Sequence, residues 1–419
     1  MTTSPRFAEL SVGKRTILTP GPVEVDPRVL RALTTPILGQ FDPEFTALMN
    51  ETSRMIQGVF RTANPKALPV DGTSRAGLEA ALTAVVRPGD KVLVPIFGRF
   101  GHLLVEICQR LDAVVETMEV EWGTVFDPTV IARAVREKRP QVLALVHGET
   151  STGRVQPFTG LGDACRDVGA LFVVDAVATL AGVPFETDEW KVDVAIAGAQ
   201  KCLSVPAGIA PVTWNDRADA RITARHRIER GLRTAADVDS DLPPIRSNYL
   251  DLAQLSDYWS PARLNHHTEA TSMLYALREG LRLVLEEGLE ERWKRHRLHE
   301  AALVAGLKAL GLEFFGDPAS KLAVVTCVKI PQGIDGDAVR AFLLDQFGVE
   351  IASSFGPLKG KIWRIATMGY SASRFNVLHG LGALEATLIR FGVKVPAGDA
   401  LQAALAVYSD QAKLASTKG

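Results

Sequence analysis

Two short apolar runs, each followed by a charged side chain, constrain the fold of this chain more than any other feature. Residues 171–174 are Leu-Phe-Val-Val and lead into Asp175, and the uncharged residues 194–200 lead into Lys201. Continuous apolar runs of this length are typical of strands buried on both faces of a parallel sheet. Because the carboxyl ends of such strands form the ligand crevice of an open α/β sheet, we expect Asp175 and Lys201 to face one site.

The pair of Asp175 and Lys201 fits pyridoxal phosphate chemistry. In that chemistry a lysine forms a Schiff base with the cofactor, and an aspartate keeps the pyridine nitrogen protonated. Taken singly, a lysine after a strand is usually a solvated loop residue, and an aspartate there is often a helix N-cap. Residues 202–211 carry no charge, so solvent exposure does not readily explain Lys201. A partly desolvated lysine has a lowered pKa, which favours the neutral amine that attacks an aldehyde.

The charge balance indicates small-molecule partners. The chain has 47 Lys and Arg against 48 Asp and Glu, with a formal net charge of -1 and no long run of either sign. This pattern offers no basic surface for nucleic acid or for an anionic membrane. We expect small molecules, or a second copy of the chain, to be the partners.

The cysteines and the termini indicate a cytoplasmic protein. The four cysteines are far apart and show no metal-ligand spacing, which predicts reduced thiols and no metal site. The first ten residues lack the apolar core of a signal peptide, and no apolar stretch reaches the length of a membrane helix.

From residue 67 onward, predicted strands and helices alternate, which favours an α/β fold with a mostly parallel, doubly wound sheet. A helix predicted over 268–287 is long enough to bridge two domains. Residues 215–247 are charged and irregular, and we interpret them as an exposed excursion. The expected division is an N-terminal arm (1–20), a large cofactor-binding domain (21–285), a smaller α+β domain (286–395) and a C-terminal tail (396–419).

A glycine turn at Gly72 opens a helix through Thr73 and Ser74, which makes this segment a candidate phosphate site. Free backbone N–H groups and hydroxyls at a helix N-terminus attract anions. An ordinary capped helix would show the same pattern.

Seven motifs, taken in order, resemble the class V aminotransferases of PLP fold type I, and within that family the glyoxylate aminotransferases. The resemblance runs from about residue 18 to residue 392. The motifs begin at Thr19 (Thr-Pro-Gly-Pro), Asp71 (Asp-Gly-Thr-Ser-Arg), His147 (His-Gly-Glu-Thr-Ser-Thr-Gly), Val174 (Val-Asp-Ala-Val), Gly198 (Gly-Ala-Gln-Lys), Asn265 (Asn-His-His-Thr) and Trp363 (Trp-Arg-Ile).

The resemblance implies roles for individual residues. Lys201 would form the Schiff base, and Asp175 would pair with the pyridinium nitrogen. The residues expected to bind pyridoxal 5′-phosphate are Ser74, Arg75, Phe100, Thr150, Asp175, Val177, Gln200 and Lys201, joined by Thr268 from the second subunit of a homodimer with shared active sites. Substrate, an amino acid or a 2-oxo acid, would be bound by Arg364, Gln40, Asn265 and Gly21. A structural salt bridge is the alternative for Arg364, and His266 and His267 are expected to support their loop.

The amino donor is inferred from two primary amides. Asn265 stands where the alanine and serine enzymes carry a tyrosine, and Gln40 lies in a turn that also differs from theirs. Amides both donate and accept, which suits a donor with a urea group. We therefore hypothesise (S)-ureidoglycine and glyoxylate as substrates, giving oxalurate and glycine in purine breakdown. A solvated turn residue (Gln40) and a phosphate contact (Asn265) are the alternatives.

Two other activities remain open from the sequence. One is a serine– or alanine–glyoxylate (or pyruvate) aminotransferase. The other is a cysteine desulfurase-like lyase, which needs a catalytic cysteine on a mobile loop of the small domain. Cys327 lies inside a predicted strand instead.

Overall fold

The chain alternates strands and helices over most of its length. The computed structural model describes residues 7–235, 237–238 and 240–416. The strands are β1 (Thr16–Ile17), β2 (Lys66–Gly72), β3 (Lys91–Ile96), β4 (Val114–Glu119), β5 (Val142–Val146), β6 (Gly148–Glu149), β7 (Arg154–Val155), β8 (Leu171–Asp175), β9 (Val194–Ile196), β10 (Gly208–Trp214), β11 (Val325–Lys329), β12 (Val349–Glu350), β13 (Ala352–Ser353) and β14 (Ile362–Ala366). The helices are α1 (Pro27–Ala32), α2 (Pro43–Phe60), α3 (Ser74–Val85), α4 (Arg99–Arg110), α5 (Pro128–Lys138), α6 (Leu161–Val168), α7 (Asp216–Thr223), α8 (Leu252–Tyr258), α9 (Thr271–Glu287), α10 (Leu289–Ala309), α11 (Gly336–Phe347), α12 (Arg374–Arg390) and α13 (Asp399–Ser416).

A central seven-stranded sheet, in the order β2-β10-β9-β8-β5-β3-β4, organises the larger part of the chain. Strands β9, β8, β5, β3 and β4 run parallel, whereas β10 is antiparallel to both of its neighbours. Every residue of β5, β8 and β9 is buried, as expected for apolar strands covered on both faces. The α/β fold with a mostly parallel sheet is therefore confirmed.

The two charged residues lie at the same edge of this sheet. Asp175 ends β8 and pairs with Val146 on one side and with Ile196 on the other. Lys201 follows β9 after a tight turn in which its N–H donates to the Gly198 carbonyl. The sheet thus places both side chains at strand carboxyl ends, as the apolar runs predict.

A second hydrophobic core lies in the C-terminal part of the chain. The antiparallel sheet β11-β14-β13 packs there with α10, α11, α12 and α13. Strand β1 pairs with β12, and Leu18 is buried in this core, so the end of the predicted arm is ordered against it. Residues 1–6 of that arm lie outside the described residues. The two cores are compatible with the expected large and small domains, whose boundaries stay a prediction.

The interpretation of residues 215–247 as an irregular, exposed excursion is wrong in part. Helix α7 occupies its start, and Arg225 is buried. The Arg225 guanidinium donates to the carbonyl oxygens of Thr83, Ala84 and Val86 at 3.0–3.1 Å. These carbonyls end α3 and lack helical partners, so a buried arginine satisfies them. Residues 236 and 239 of this segment lie outside the described residues.

The C-terminal tail is helical, as its alanine content suggests. Helix α13 packs along α10, and the Tyr408 hydroxyl lies 2.9 Å from His299 Nδ1. Residues 417–419 lie outside the described residues. Over the described ranges, none of the helices combines the length and the apolar character needed to cross a membrane.

Candidate active site

A cavity of about 210 Å³ opens at the carboxyl ends of the central strands. Its walls come from the N-terminus of α3, the start of α4 and the loops after β6, β8 and β9. Eight of the predicted cofactor residues line this cavity: Ser74, Arg75, Phe100, Thr150, Asp175, Val177, Gln200 and Lys201. Phe100, Thr150, Asp175 and Lys201, each at or after the end of a strand, therefore lie around one cavity.

Asp175 presents a buried carboxylate on the cavity wall. Its Oδ1 accepts a hydrogen bond from the Val177 backbone N–H at 2.9 Å. Burial raises the pKa of Asp175 to about 7, the Val177 N–H counteracts this, and nearby Glu149 adds to it. A buried carboxylate of this kind gains most from a cationic partner such as a protonated ring nitrogen.

Lys201 is buried and lines the same cavity. Its ammonium donates to the Pro20 carbonyl. Burial lowers the pKa of Lys201 to about 8, and the Arg364 charge lowers it further. The expectation of a desolvated lysine is confirmed, and the lowered pKa increases the neutral fraction of the amine, the form that attacks a carbonyl carbon.

Gly21 packs directly against the Lys201 side chain. A Cβ at this position would lie 2.6 Å from Lys201 Nζ, and the φ angle of Gly21 is +104°. Both the contact and the left-handed backbone exclude larger residues. Gly21 thus contacts the lysine amine, beside the cavity.

The N-terminus of α3 offers an anion site. Its N-cap Thr73 makes no side-chain cap bond, and the Ala76 N–H donates to the Thr73 carbonyl at 2.8 Å, which leaves the N–H groups of Ser74 and Arg75 to face an anion. Ser74 Oγ donates to Gln200 Oε1 at 2.8 Å, which joins this helix to the loop of Lys201. Arg75 is exposed at the cavity mouth. These groups match the demands of a phosphate.

Arg364 lies on β14, just behind the cavity lining. Its Nε donates to the Ser353 carbonyl at 2.7 Å, and Nη1 donates to the Thr150 carbonyl at 3.1 Å. Burial lowers the pKa of Arg364 to about 10, so the group stays cationic at neutral pH. In the described part of the chain its hydrogen bonds go to carbonyl oxygens and to no carboxylate. The structural salt bridge is therefore not what holds it, and its charge is available to a substrate carboxylate.

Gln40, Asn265 and Thr268 lie away from this chain's own cavity. Gln40 Nε2 donates to Asn265 Oδ1 at 3.1 Å, and Gln40 Oε1 is buried without a hydrogen-bond partner in the described part of the molecule. Thr268 is exposed.

The loop that carries Thr268 is anchored by its neighbours. Asp71 Oδ2 accepts the Ala270 N–H at 2.9 Å and lies 3.3 Å from His267 Nε2. His266 Nε2 lies 3.0 Å from the Asn248 carbonyl oxygen. Both histidines therefore contact groups that fix the loop, in line with a supporting role.

Glu149 was missed by the sequence reasoning. Its side chain is fully buried, and its carboxylate receives hydrogen bonds from Phe100, which lines the cavity, and from Ser151, which follows the cavity residue Thr150. The signal was present, because Glu149 belongs to a recognised motif and directly precedes Thr150. Glu149 follows one apolar strand, β5, and precedes another, β8, and the sequence pattern does not reveal which groups hydrogen-bond its carboxylate.

Comparison with known proteins places these features in a family. Residues 32–361 match the model of the class-V aminotransferases. The chain is 61% identical to the (S)-ureidoglycine–glyoxylate transaminase of Bacillus subtilis, over 97% of this chain and 99% of that one. It is 36% identical to the alanine–glyoxylate aminotransferase of Rattus norvegicus, over 90% and 89% of the two chains.

A solved structure agrees with the sequence relatives. The crystal structure of ureidoglycine–glyoxylate aminotransferase from Bacillus subtilis superposes with a TM-score of 0.91 at 60% identity and covers 96% of this chain and 100% of that one. An alanine–glyoxylate aminotransferase from Nostoc sp. gives a TM-score of 0.86 at 38% identity, over 92% and 98%.

Proposed function

Because this chain belongs to the class-V aminotransferases, we propose that it transfers the amino group of (S)-ureidoglycine to glyoxylate, giving oxalurate and glycine. The observation that carries this choice of donor is the contact between the Gln40 and Asn265 amides. The identity of 61% with the Bacillus subtilis ureidoglycine enzyme supports the same choice.

Pyridoxal 5′-phosphate is the cofactor of this family, and the cavity residues fit it. The uncapped N-terminus of α3 suits the phosphate, the buried Asp175 carboxylate suits a pyridinium nitrogen, and the Lys201 amine suits an aldehyde. Bound there, the cofactor supplies an electron-accepting ring that makes the α-hydrogen of an amino acid acidic.

Each protein group then has a defined task. Lys201 Nζ removes the α-proton of the substrate and later returns a proton, as a positioned general base and acid. Asp175 keeps the ring nitrogen protonated. Phe100 and Val177, which line the cavity, would pack against the cofactor ring and exclude water. Arg364 orients the substrate carboxylate, since a guanidinium binds a carboxylate through two parallel hydrogen bonds.

The amide pair would serve a donor with a ureido group. Gln40 Oε1 is an acceptor without a hydrogen-bond partner among the described residues, and it would match an N–H of such a group. Asn265 lies in the same loop as Thr268, and all three residues lie outside this chain's own cavity. We infer from this arrangement that the amides and Thr268 reach the active site of a second subunit.

We expect Gln40→Ala and Asn265→Ala each to lower kcat/KM for ureidoglycine by about 10²-fold, because a buried polar group of the donor loses its partner. The value for alanine, which carries a methyl group there, should change little. Steady-state rates with ureidoglycine, serine and alanine measure this. Gln109→Ala, at an exposed position of α4, is the matched control. A wild-type preference for alanine or serine, or an equal loss with every donor, would contradict the assignment.

The second candidate is an alanine– or serine–glyoxylate aminotransferase, which the 36% identity to the rat enzyme supports. The same rates decide between the two. A desulfurase is disfavoured, because Cys327 is buried within β11 and burial raises the pKa of its thiol to about 11. Such a thiol is a poor nucleophile.

We also propose a homodimer with shared sites. Apolar side chains are exposed near the amide pair: Ile37 is 64% exposed, Phe41 80% and Tyr249 48%. The Tyr249 ring lies beside the ring of His266, the residue after Asn265. Apolar groups gathered in this way mark a binding face. A second copy covering this face would bring Thr268 to the neighbouring phosphate.

Sedimentation should give a species of twice the 45.3 kDa chain mass. We expect Phe41→Asp to produce monomers with little activity, because a charge would be buried in the interface. Phe375→Asp changes an equally apolar position, 63% exposed on α12, and should stay dimeric. A monomeric, active wild type would contradict the shared site.

We propose a cytoplasmic location. Cys108, Cys165, Cys202 and Cys327 are free, buried thiols, which suits a reducing compartment.

A further inference from the structure

The buried carboxylate of Glu149 has no role in the proposed chemistry, yet it lies between the residues that border the cavity. Its side chain is 0% exposed, and it ends the short strand β6. Burying a carboxylate is costly unless hydrogen bonds or charges compensate it. The position therefore needs a physical reason.

Three donors converge on the two carboxylate oxygens of Glu149. Oε2 accepts the Phe100 N–H at 2.8 Å, while Oε1 accepts the Ser151 N–H at 3.0 Å and the Ser151 hydroxyl at 2.7 Å. Only a group that accepts at both ends can satisfy this arrangement. Gln would place an NH₂ group against a backbone N–H in either orientation, which leaves a buried donor without a partner.

The two residues after Glu149 contact Arg364, the proposed substrate-binding residue, and the segment beside it. The Thr150 carbonyl accepts from Arg364, and the Ser151 carbonyl accepts from Ser354 Oγ at 2.7 Å. The carbonyl of Ser353 accepts from Arg364 Nε. One carboxylate thus connects the Phe100 loop to the segment that holds Arg364.

The approach of the Phe100 loop is shaped for this contact. A Cβ on Gly98 would overlap the Glu149 carboxylate, so a glycine is needed where this loop passes it. The Arg99 N–H donates to Ser151 Oγ at 3.1 Å, which adds a second bond between the two loops.

We propose that Glu149 is a positioning residue. It fixes the Phe100 loop relative to the Thr150–Ser151 turn, and it thereby sets the position of the Arg364 guanidinium relative to the Phe100 ring. This inference rests on the proposed function. The charged and titratable groups that face Glu149 are Arg364, Lys201, Asp175 and Cys327. Burial raises the pKa of Glu149, and the hydrogen bonds from Ser151 and Phe100 and the charge of Arg364 counteract this. In its ionised form, which the three donors favour, Glu149 stabilises the cationic form of Lys201 and disfavours ionisation of Asp175.

The test compares Glu149→Gln, Glu149→Asp and the exposed control Glu119→Gln in the holoenzyme. For Glu149→Gln we expect KM to rise about 10- to 100-fold for the amino donor and for glyoxylate alike. Both substrates carry the carboxylate that Arg364 would bind, and the substitution would displace Arg364. The circular dichroism of the bound cofactor should weaken, and the pH midpoint of its visible absorbance should fall, because a negative charge near the cation is lost. Glu149→Asp keeps the charge with a shorter reach, so it should restore the midpoint while KM stays high.

Ser151→Ala provides an independent variant if Glu149→Gln does not fold. It removes one donor and leaves the carboxylate, so we expect a smaller rise in both KM values and an unchanged midpoint. Unaltered KM values together with an unaltered midpoint in Glu149→Gln would overturn the proposal. The cofactor signals are recorded without substrate, so they test Glu149 even if the wild type turns out to prefer another donor.

Discussion

Lys201→Ala should lower kcat by at least about 10⁴-fold, the upper end of what one positioned acid–base group contributes. In the proposed mechanism, the substitution removes both the amine that would attack the cofactor aldehyde and the base that would take the α-proton. No other lysine lines the cavity among the described residues. Single-turnover rates with saturating cofactor and donor would measure the loss.

Lys191→Ala is the matched control, because Lys191 lies on the surface and pairs with Asp163. Its kcat should stay within about twofold of the wild type, as surface substitutions usually have small effects. If Lys201→Ala kept a rate within tenfold of the wild type, another group would have to be the base.

Asp175→Asn should lower kcat by about 10³-fold while the protein still binds the cofactor. Asn retains an oxygen that can accept the Val177 N–H, so the loop should keep its shape. The negative charge beside the ring nitrogen is lost, however, and the nitrogen no longer stays protonated. Losing one preorganised electrostatic partner in a water-excluded site typically costs this much.

Equilibrium titration with pyridoxal 5′-phosphate, run beside the kinetics, separates this effect from loss of binding. Asp163→Asn, at an exposed residue, should match the wild type in both measurements. A kcat within tenfold of the wild type for Asp175→Asn would show that the carboxylate does not hold the ring nitrogen protonated.

Local patterns were sufficient to predict that Asp175 and Lys201 meet at one cavity. Asp175 ends a buried strand and Lys201 follows another, and a parallel sheet brings strand ends together whatever lies between them in sequence. Phe100 and Thr150 were expected at this site from the family resemblance, and they too follow strands, β3 and β6. These contacts depend on the type of secondary structure, which hydrophobic periodicity reveals.

Contacts between distant segments were not predictable in this way. The capping of α3 by Arg225, the pairing of β1 with β12 and the Glu149 contact with Phe100 each join segments whose sequences carry no mutual signal. In each case a polar group satisfies backbone partners that are only brought near by folding. A charged residue in such a segment is predicted to be solvent-exposed unless its partners are known. For this reason residues 215–247 were predicted to be irregular and exposed, although they contain α7 and the buried Arg225.

The contact between Gln40 and Asn265 was predictable only in part. The sequence singled out both amides as substrate ligands, but it did not predict that they bond to each other. Among the described residues, Gln40 Oε1 is a buried acceptor without a hydrogen-bond partner. The roles of both amides in donor specificity stay a prediction.

Borohydride reduction of the purified holoenzyme, followed by peptide mass mapping, tests most directly whether the amine at the end of β9 carries the cofactor. We expect a pyridoxyl group on the peptide that contains Lys201 and on no other peptide. A reduced protein without this modification, or with the group on a different lysine, would contradict it.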